Sequence, residues 1–554
     1  MKRVLLLVGS LAGWLLMSAA QAAAPGITST GATAATFALT ASPAYISQPD
    51  GQTVYSWGYG CTTAPPAAAF APATSTTPFC NPMQIPGPTL VVTEGQTVNV
   101  RLTNSLPASA GNTSILFPGF NVSTSCTAAS ATGVQGLLTC EATPGGTVTY
   151  TFTASSPGTR AYYSGTQGDL QIEMGLYGAI IVLPSTSNAN YPTVCGTLAG
   201  GGLPVANPGN NRSAQATWGE GDFRLAAAAY DHPDTCYDRE YLFQFSEMDP
   251  NIHLQALAQV TAAGNCTAGA VGCSLNVPTE PYHPVYFMIN GRSMPDDMDS
   301  NYAAQYQHQP YNGNPHMHPG ELVLLRIIGQ GRWQHPFHEH GNHVRILARD
   351  GNLILSSANV SYPTSANTTV SAAGLAGPLL FTTTTTPGLA MDGIFYWTGK
   401  GLNWDAYAHN PASSDPLATL TCTPDANGYN TGAPAAVNYF EWCQDHNKPL
   451  QAKPFGDVAA GGPVTLPDPN LFTNGAWYGG SPYLGPNATV RATGPTGTTP
   501  PSGTIANPPT SEAGFAFMWH SHNEREITTN NIFPGGMLMM MLVDSREFVI
   551  DESN

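Results

Sequence analysis

The chain has 554 residues, a formal net charge of −17 and only 10% charged residues, with 58 glycines and 48 prolines. Four lysines (Lys2, Lys400, Lys448, Lys453) are too few for a coiled coil or helical bundle, and the acidic balance excludes the basic footprint of a nucleic-acid binder. The same charge makes metal cations better partners than polyanions or anionic membranes.

In chain order, Met1-Lys2-Arg3, an apolar run Val4–Leu16 and small residues at 18–22 have the pattern of a Sec signal peptide over 1–22, cut near Ala22 or Ala24. No later stretch is long and apolar enough to span a membrane, so the protein is expected to be periplasmic or extracellular. Short β-rich runs follow, among them Thr89–Leu102, Thr147–Thr153, Tyr177–Leu183, Glu240–Phe245, Leu322–Ile328 and His343–Ala348, with Gly, Pro, Ser, Thr and Asn between them. This spacing predicts β-sandwiches. No strong helical periodicity appears after the signal peptide. The expected division is a sandwich at 27–185, a linker at 186–235, and a second sandwich at 236–548 carrying a Pro/Gly/Thr-rich insertion at about 400–512.

A repeat supports two related units. Glu94-Gly-Gln-Thr-Val-Asn-Val-Arg101 recurs as Pro319-Gly-Glu-Leu-Val-Leu-Leu-Arg326, and Gly175-Leu-Tyr-Gly-Ala-Ile-Ile-Val182 recurs as Gly536-Met-Leu-Met-Met-Met-Leu-Val543. Ten cysteines, an even number, suit an oxidising compartment. Sequence neighbours suggest Cys61–Cys80, Cys126–Cys140, Cys195–Cys236, Cys266–Cys273 and Cys422–Cys443. None of them sits among the histidines, which argues against thiolate metal ligation.

None of the 14 histidines precedes His232. Two clusters stand out: His335-Pro-Phe-His338-Glu-His340 and His520-Ser-His522. Residues i and i+2 of a strand share a face, so His338 projects with His340 and His520 with His522. Adjacent strands would bring four imidazoles together, a donor set for copper, zinc, iron or nickel. His-Glu-His is not the helical His-Glu-x-x-His of a zinc protease. His316-Met-His318 is expected in an exposed loop, and Met537, Met539 and Met541 on one buried strand face.

These motifs resemble the multicopper oxidase family. Phe287-Met-Ile-Asn-Gly-Arg-Ser, Gly320-Glu-Leu-Val-Leu-Leu-Arg, His335-Pro-Phe-His-Glu-His-Gly341, Trp519-His-Ser-His522 and Gly535-Gly-Met537 follow the order of its last domain. Gly87-Pro-Thr-Leu, Arg101-Leu-Thr-Asn and Gly175-Leu-Tyr-Gly resemble its first. The resemblance implies an all-β protein of two cupredoxin-like Greek-key β-sandwich domains. It also implies metal ligation by His338 (type 2), His340, His520 and His522 (type 3), and His335 (type 1).

The chain departs from the family where eight cluster histidines and a type 1 cysteine are expected. The first-domain motifs fall at Leu116-Phe-Pro118 and Tyr163-Ser-Gly165, the cysteine at Ser521, and the later type 1 histidine at Glu526. Without a thiolate no blue copper centre forms, and four of eight cluster ligands cannot make a complete trinuclear site. The expectation is a His-only mononuclear or dinuclear copper half-site, with zinc left open, in a secreted oxidoreductase that meets O2 or a small reductant directly. Copper sequestration or delivery without turnover, and a purely structural scaffold, are the alternatives. Tyr163, Asp169 and Glu173 are weaker candidates for the metal's surroundings.

Overall fold

The computed structural model describes residues 24–192 apart from 30, 32, 73–76 and 127–131; residue 195; and 220–400 apart from 364–368. It also describes 423–432, 441–442, 444, 479–483, 489–490, 505–506, and 514–551 apart from 547. The expected signal peptide, the Cys422–Cys443 pair and most of the linker and insertion lie outside these residues.

The fold is nearly all-β. Alternating β-branched runs create it: Thr97–Asn104 and Thr147–Thr153 each bury every second residue and pair antiparallel from Thr147↔Thr103 to Thr153↔Thr97. The first unit has two five-stranded sheets. One contains Ala34–Ser47, Thr53–Cys61, Thr97–Asn104 and Thr147–Thr153; the other centres on Leu90–Thr93 and Tyr177–Leu183.

The second unit pairs a seven-stranded with a six-stranded sheet. The first holds Arg239–Met248, Leu322–Gly329 and Ala390–Tyr396. The other runs in the order His316–Met317, Leu538–Asp544, Gly514–Ser521, His335–Glu339, Thr382–Thr385. Between these sheets lies a core that includes Phe243, Phe337, Trp519 and Met537, Met539 and Met541. The methionine strand therefore packs as its alternation predicts, with Met540 on the other face and half-buried.

The repeat read from the sequence is also structural. Gly95 and Gly320 both have positive φ (85° and 83°) at the turn that enters Thr97–Asn104 or Leu322–Gly329. A side chain there would be strained.

Two expectations need correction. A 14-residue α-helix, Pro250–Ala263, stands where no helical periodicity was read. Asp249 caps it by accepting from the Asn251 N–H, with Pro250 in the first turn, and this Asp-Pro start was its sequence signal. Cys61–Cys80, Cys195–Cys236 and Cys266–Cys273 are bonded, but Cys126 and Cys140 are free. Cys140 points into the core from its strand, 2.9 Å from the Thr124 hydroxyl, while Cys126 is half-buried. The first core also takes in Ile252, Ala256, Tyr282, Tyr302 and Tyr311 from beyond the first sandwich.

Candidate metal centre

Strand His335–Glu339 lies antiparallel to Gly514–Ser521, with His338 directly opposite His520 and Phe337 opposite Ser521. The pleat then sorts the residues. His338, His340, His520 and His522 project to one face; Phe337, Glu339, Trp519 and Ser521 project to the other, into the core. Trp519 fixes the end of the first strand by donating its indole N–H to the His340 carbonyl at 2.9 Å.

The four rings form one cluster. Ring centroids lie 4.8 Å apart for His338–His340 and His338–His522, 5.1 Å for His340–His520, and 5.6 Å for His338–His520 and His520–His522. Neighbouring groups set the tautomers. His520 Nδ1 donates to the Ser521 carbonyl (2.8 Å) and His340 Nδ1 to the Gly479 carbonyl (3.4 Å). A carbonyl only accepts, so both protons sit on Nδ1 and both Nε2 atoms carry lone pairs. Those Nε2 atoms face each other at 3.3 Å. A cation placed between two such lone pairs would satisfy both. A tetrahedral ion with metal–nitrogen bonds of about 2.0–2.1 Å sets its nitrogens about 3.4 Å apart. His338 Nδ1 is held at 2.7 Å by the Thr382 hydroxyl.

A proton is a poor bridge here. Burial, reinforced by the charges of neighbouring imidazoles, pushes His338 down to about 3. Burial does the same to His340, down to about 4, and lowers His520. His338, His340 and His520 are therefore held toward the neutral form, the one that ligates metal. His338, His340 and His520 are buried, and His522 is exposed. Phe381, 41% exposed, stands edge-on to His338 and His343 at this open side.

His335 does not join the four. It has the opposite strand parity from His338 and His340, which the sequence already contained. Both of its nitrogens are taken: Nε2 by Glu247 and Nδ1 by Glu526, each at 2.9 Å. Burial alone would lower its pKa, but the two carboxylates outweigh it and raise it to about 9. Ser521 donates its hydroxyl to the same Glu526 oxygen. The residues at the family's type 1 positions, His335, Ser521 and Glu526, thus form a closed hydrogen-bonded cluster around an imidazolium. That cluster leaves His335 no lone pair for a metal.

The other candidates lie elsewhere. Tyr163 is half-buried beside Gly388, where a Cβ would meet its hydroxyl at 3.2 Å. Its backbone bridges Leu116, so the positions of the two missing first-domain motifs are zipped to each other. Asp169 accepts from the exposed Thr279 hydroxyl. Glu173 is buried; it accepts from Tyr282 (2.7 Å) and from the Asp249 N–H (2.7 Å).

His316 and His318 are fully buried and not in an exposed loop. Their strand pairs with Leu538–Asp544 through His316↔Leu542. His316 Nδ1 meets Asp544 at 2.6 Å and His318 Nε2 meets Glu220 at 2.7 Å. Among the described residues, Glu220, His318 and Glu321 are the one group holding three ligand atoms all within 4.8 Å of one another. Arg239 ion-pairs with both of those carboxylates and fills the place of a cation. The four-histidine cluster is not such a group in this arrangement of its rings.

The fold and this site define a cupredoxin-like protein with a histidine-rich centre on its second sandwich. Two multicopper oxidase family profiles match the chain, over residues 68–187 and 278–388. Laccase-3 of Botryotinia fuckeliana is 38% identical over 104 residues, covering 19% of this chain and 21% of that protein. L-ascorbate oxidase of Brassica rapa subsp. pekinensis is 38% identical over 99 residues, covering 18% and 16%. These matches span about a fifth or less of the relatives' own length. A blue copper oxidase from Nitrosomonas europaea, 14% identical, aligns over 92% of this chain and 85% of its own with a TM-score of 0.40. The chain is a divergent, multicopper-oxidase-like member of that family.

Proposed function

We propose that His338, His340, His520 and His522 bind copper, and that the protein is a secreted oxidoreductase working through this His-only half-site. The observation that carries the reading is the pair of Nε2 lone pairs on His340 and His520, 3.3 Å apart with both Nδ1 protons committed to carbonyls. All-imidazole ligation suits copper, the metal the family implies. Copper bound there supplies one-electron exchange with a small reductant or O2. The protein turns the Nδ1 atoms of His340 and His520 to backbone carbonyls and leaves His522 exposed as the side from which a small molecule approaches. Charged ligands from the type 1 positions are unavailable, because His335 and Glu526 neutralise each other. The signal-like segment 1–22 and three disulfides suit an exported protein.

Copper sequestration without turnover keeps the acidic balance in its favour but gains nothing from Met537, Met539 and Met541, which are core residues, or from His316 and His318, which pair with carboxylates. The test is copper content, EPR and visible spectra on the exported protein, with O2 consumption in the presence of small reductants. One or two coppers per chain, lost in His338→Ala/His520→Ala together with the O2 uptake, is the expected result. Copper binding that survives the double variant overturns the site. Copper bound without any O2 uptake returns the reading to sequestration, and zinc in place of copper removes the redox role.

A further inference from the structure

The sequence insertion re-enters the fold at the histidine cluster. Strand Gly480–Tyr483 pairs antiparallel with Gly514–Ser521, from Gly480↔Phe517 to Tyr483↔Gly514. It occupies the same strand that carries His520, a few residues before it. Gly479, immediately ahead of this added strand, has φ of +66° and lies against the His340 ring. A Cβ at position 479 would fall 1.9 Å from His340 Nδ1 and 2.6 Å from both Cε1 and Cγ. That is far inside van der Waals contact, so either the ring or the strand would have to move. The Gly479 carbonyl is also the acceptor for the His340 Nδ1 proton.

The geometry points to Gly479 as a positioning residue for His340, so that the insertion sets both the tautomer and the placement of one ligand of the metal site. Two independent features meet at one residue: a carbonyl that draws the proton to Nδ1, and a missing side chain that lets the backbone approach the ring. Each acts on the same outcome, the Nε2 lone pair aimed at His520. Second-sphere acceptors of this kind orient ligating imidazoles and commonly change metal affinity by about 10–100-fold. This inference rests on the four-histidine reading above and adds the device that tunes it.

The experiment uses the full chain and copper alone as the probe. Copper titration by calorimetry and EPR is run on the wild type, Gly479→Ala, Gly480→Ala and His338→Ala/His520→Ala. Gly480→Ala is the control, because a Cβ there meets Phe517 at 2.1 Å and perturbs the same strand without touching His340. The expected result is at least a tenfold loss of copper affinity in Gly479→Ala, with altered nitrogen hyperfine structure. Gly480→Ala should keep its affinity within about threefold while melting earlier. Equal affinity losses in the two glycine variants, or none in Gly479→Ala, overturn the positioning role. Copper binding that survives the histidine double variant overturns the metal site itself, and this inference with it. Imidazole 15N NMR of wild-type protein before copper addition gives a readout independent of whether the variants fold: His340 should carry its proton on Nδ1, and an Nε2–H tautomer refutes the proposal.

Discussion

His335 Nδ1 and Glu526 Oε2 are 2.9 Å apart, and that contact stands where the family's type 1 copper ligands would be. With Glu247 on the other ring nitrogen, a buried proton holds the position of a metal ion. The replacement is self-consistent: the cysteine is a hydroxyl donor, Ser521, and the histidine is its acceptor, Glu526. The two changes support each other, because either one alone would leave a buried group without this partner.

Copper-loaded protein should accordingly show no intense blue band, since no thiolate is present and Ser521 is committed to Glu526. Ser521→Cys by itself should not restore it, because both His335 nitrogens remain occupied. Visible absorption of the copper-loaded wild type and of this variant checks the point. A strong blue band in either one refutes it.

Removing the imidazolium should destabilise the fold. His335→Ala leaves two buried carboxylates without their partner, a loss of roughly 3–5 kcal/mol by analogy with broken buried pairs. The folded pKa of His335, about 9, lies above its ordinary value of 6.5. Its stabilisation is therefore fully present below pH about 6.5 and is lost as pH rises through about 9. Denaturant titrations from pH 6 to 10 should show a decline around pH 9 in the wild type that is absent from His335→Ala, which keeps only the earlier loss due to Glu339.

Glu339 gives a second, separable alkaline effect. It is fully buried on the core face, with one oxygen accepting from Thr383 at 2.7 Å, and burial pushes its carboxyl up to about 8 from 4.5. The folded state holds the proton more tightly, so stability falls as pH rises from about 4.5 through 8. Glu339→Gln keeps the Thr383 contact and removes the charge. Its stability should exceed that of the wild type at pH 8 by at least about 1 kcal/mol, and the two should converge near pH 4. Paired unfolding curves at those two pH values decide it.

Met539→Ala should cost about 2–5 kcal/mol by cavity formation without changing copper stoichiometry. Met539 is fully buried between the sheets of the second sandwich and not beside the imidazoles. A drop in copper content in a folded Met539→Ala protein would contradict this placement.

Much of this arrangement was legible in the residues. Period-2 alternation gave Thr97–Asn104 and the methionine strand, and two His-x-His pairs gave the clustered rings. The same alternation already separated His335 from His338 and His340; motif matching obscured it. The rest was not local. Glu247 and Glu526 reach His335 from 88 and 191 positions away along the chain. Asp544 reaches His316 across 228, so nothing near His316-Met-His318 announced its burial. The helix Pro250–Ala263 shows little amphipathic alternation because only Ile252, His253 and Ala256 on it are buried.

That helix also governs how the molecule can be divided. Ile252 and Ala256 sit in the first sandwich's core, and His253 binds the Tyr55 carbonyl through Nδ1 at 2.6 Å. A first half ending before residue 236 would thus expose the apolar surface that the helix and Tyr282, Tyr302 and Tyr311 cover. The two halves resemble separate modules in sequence, yet the second supplies part of the first one's core, so a gene fragment ending before residue 236 should yield less soluble protein than one that extends through Tyr311.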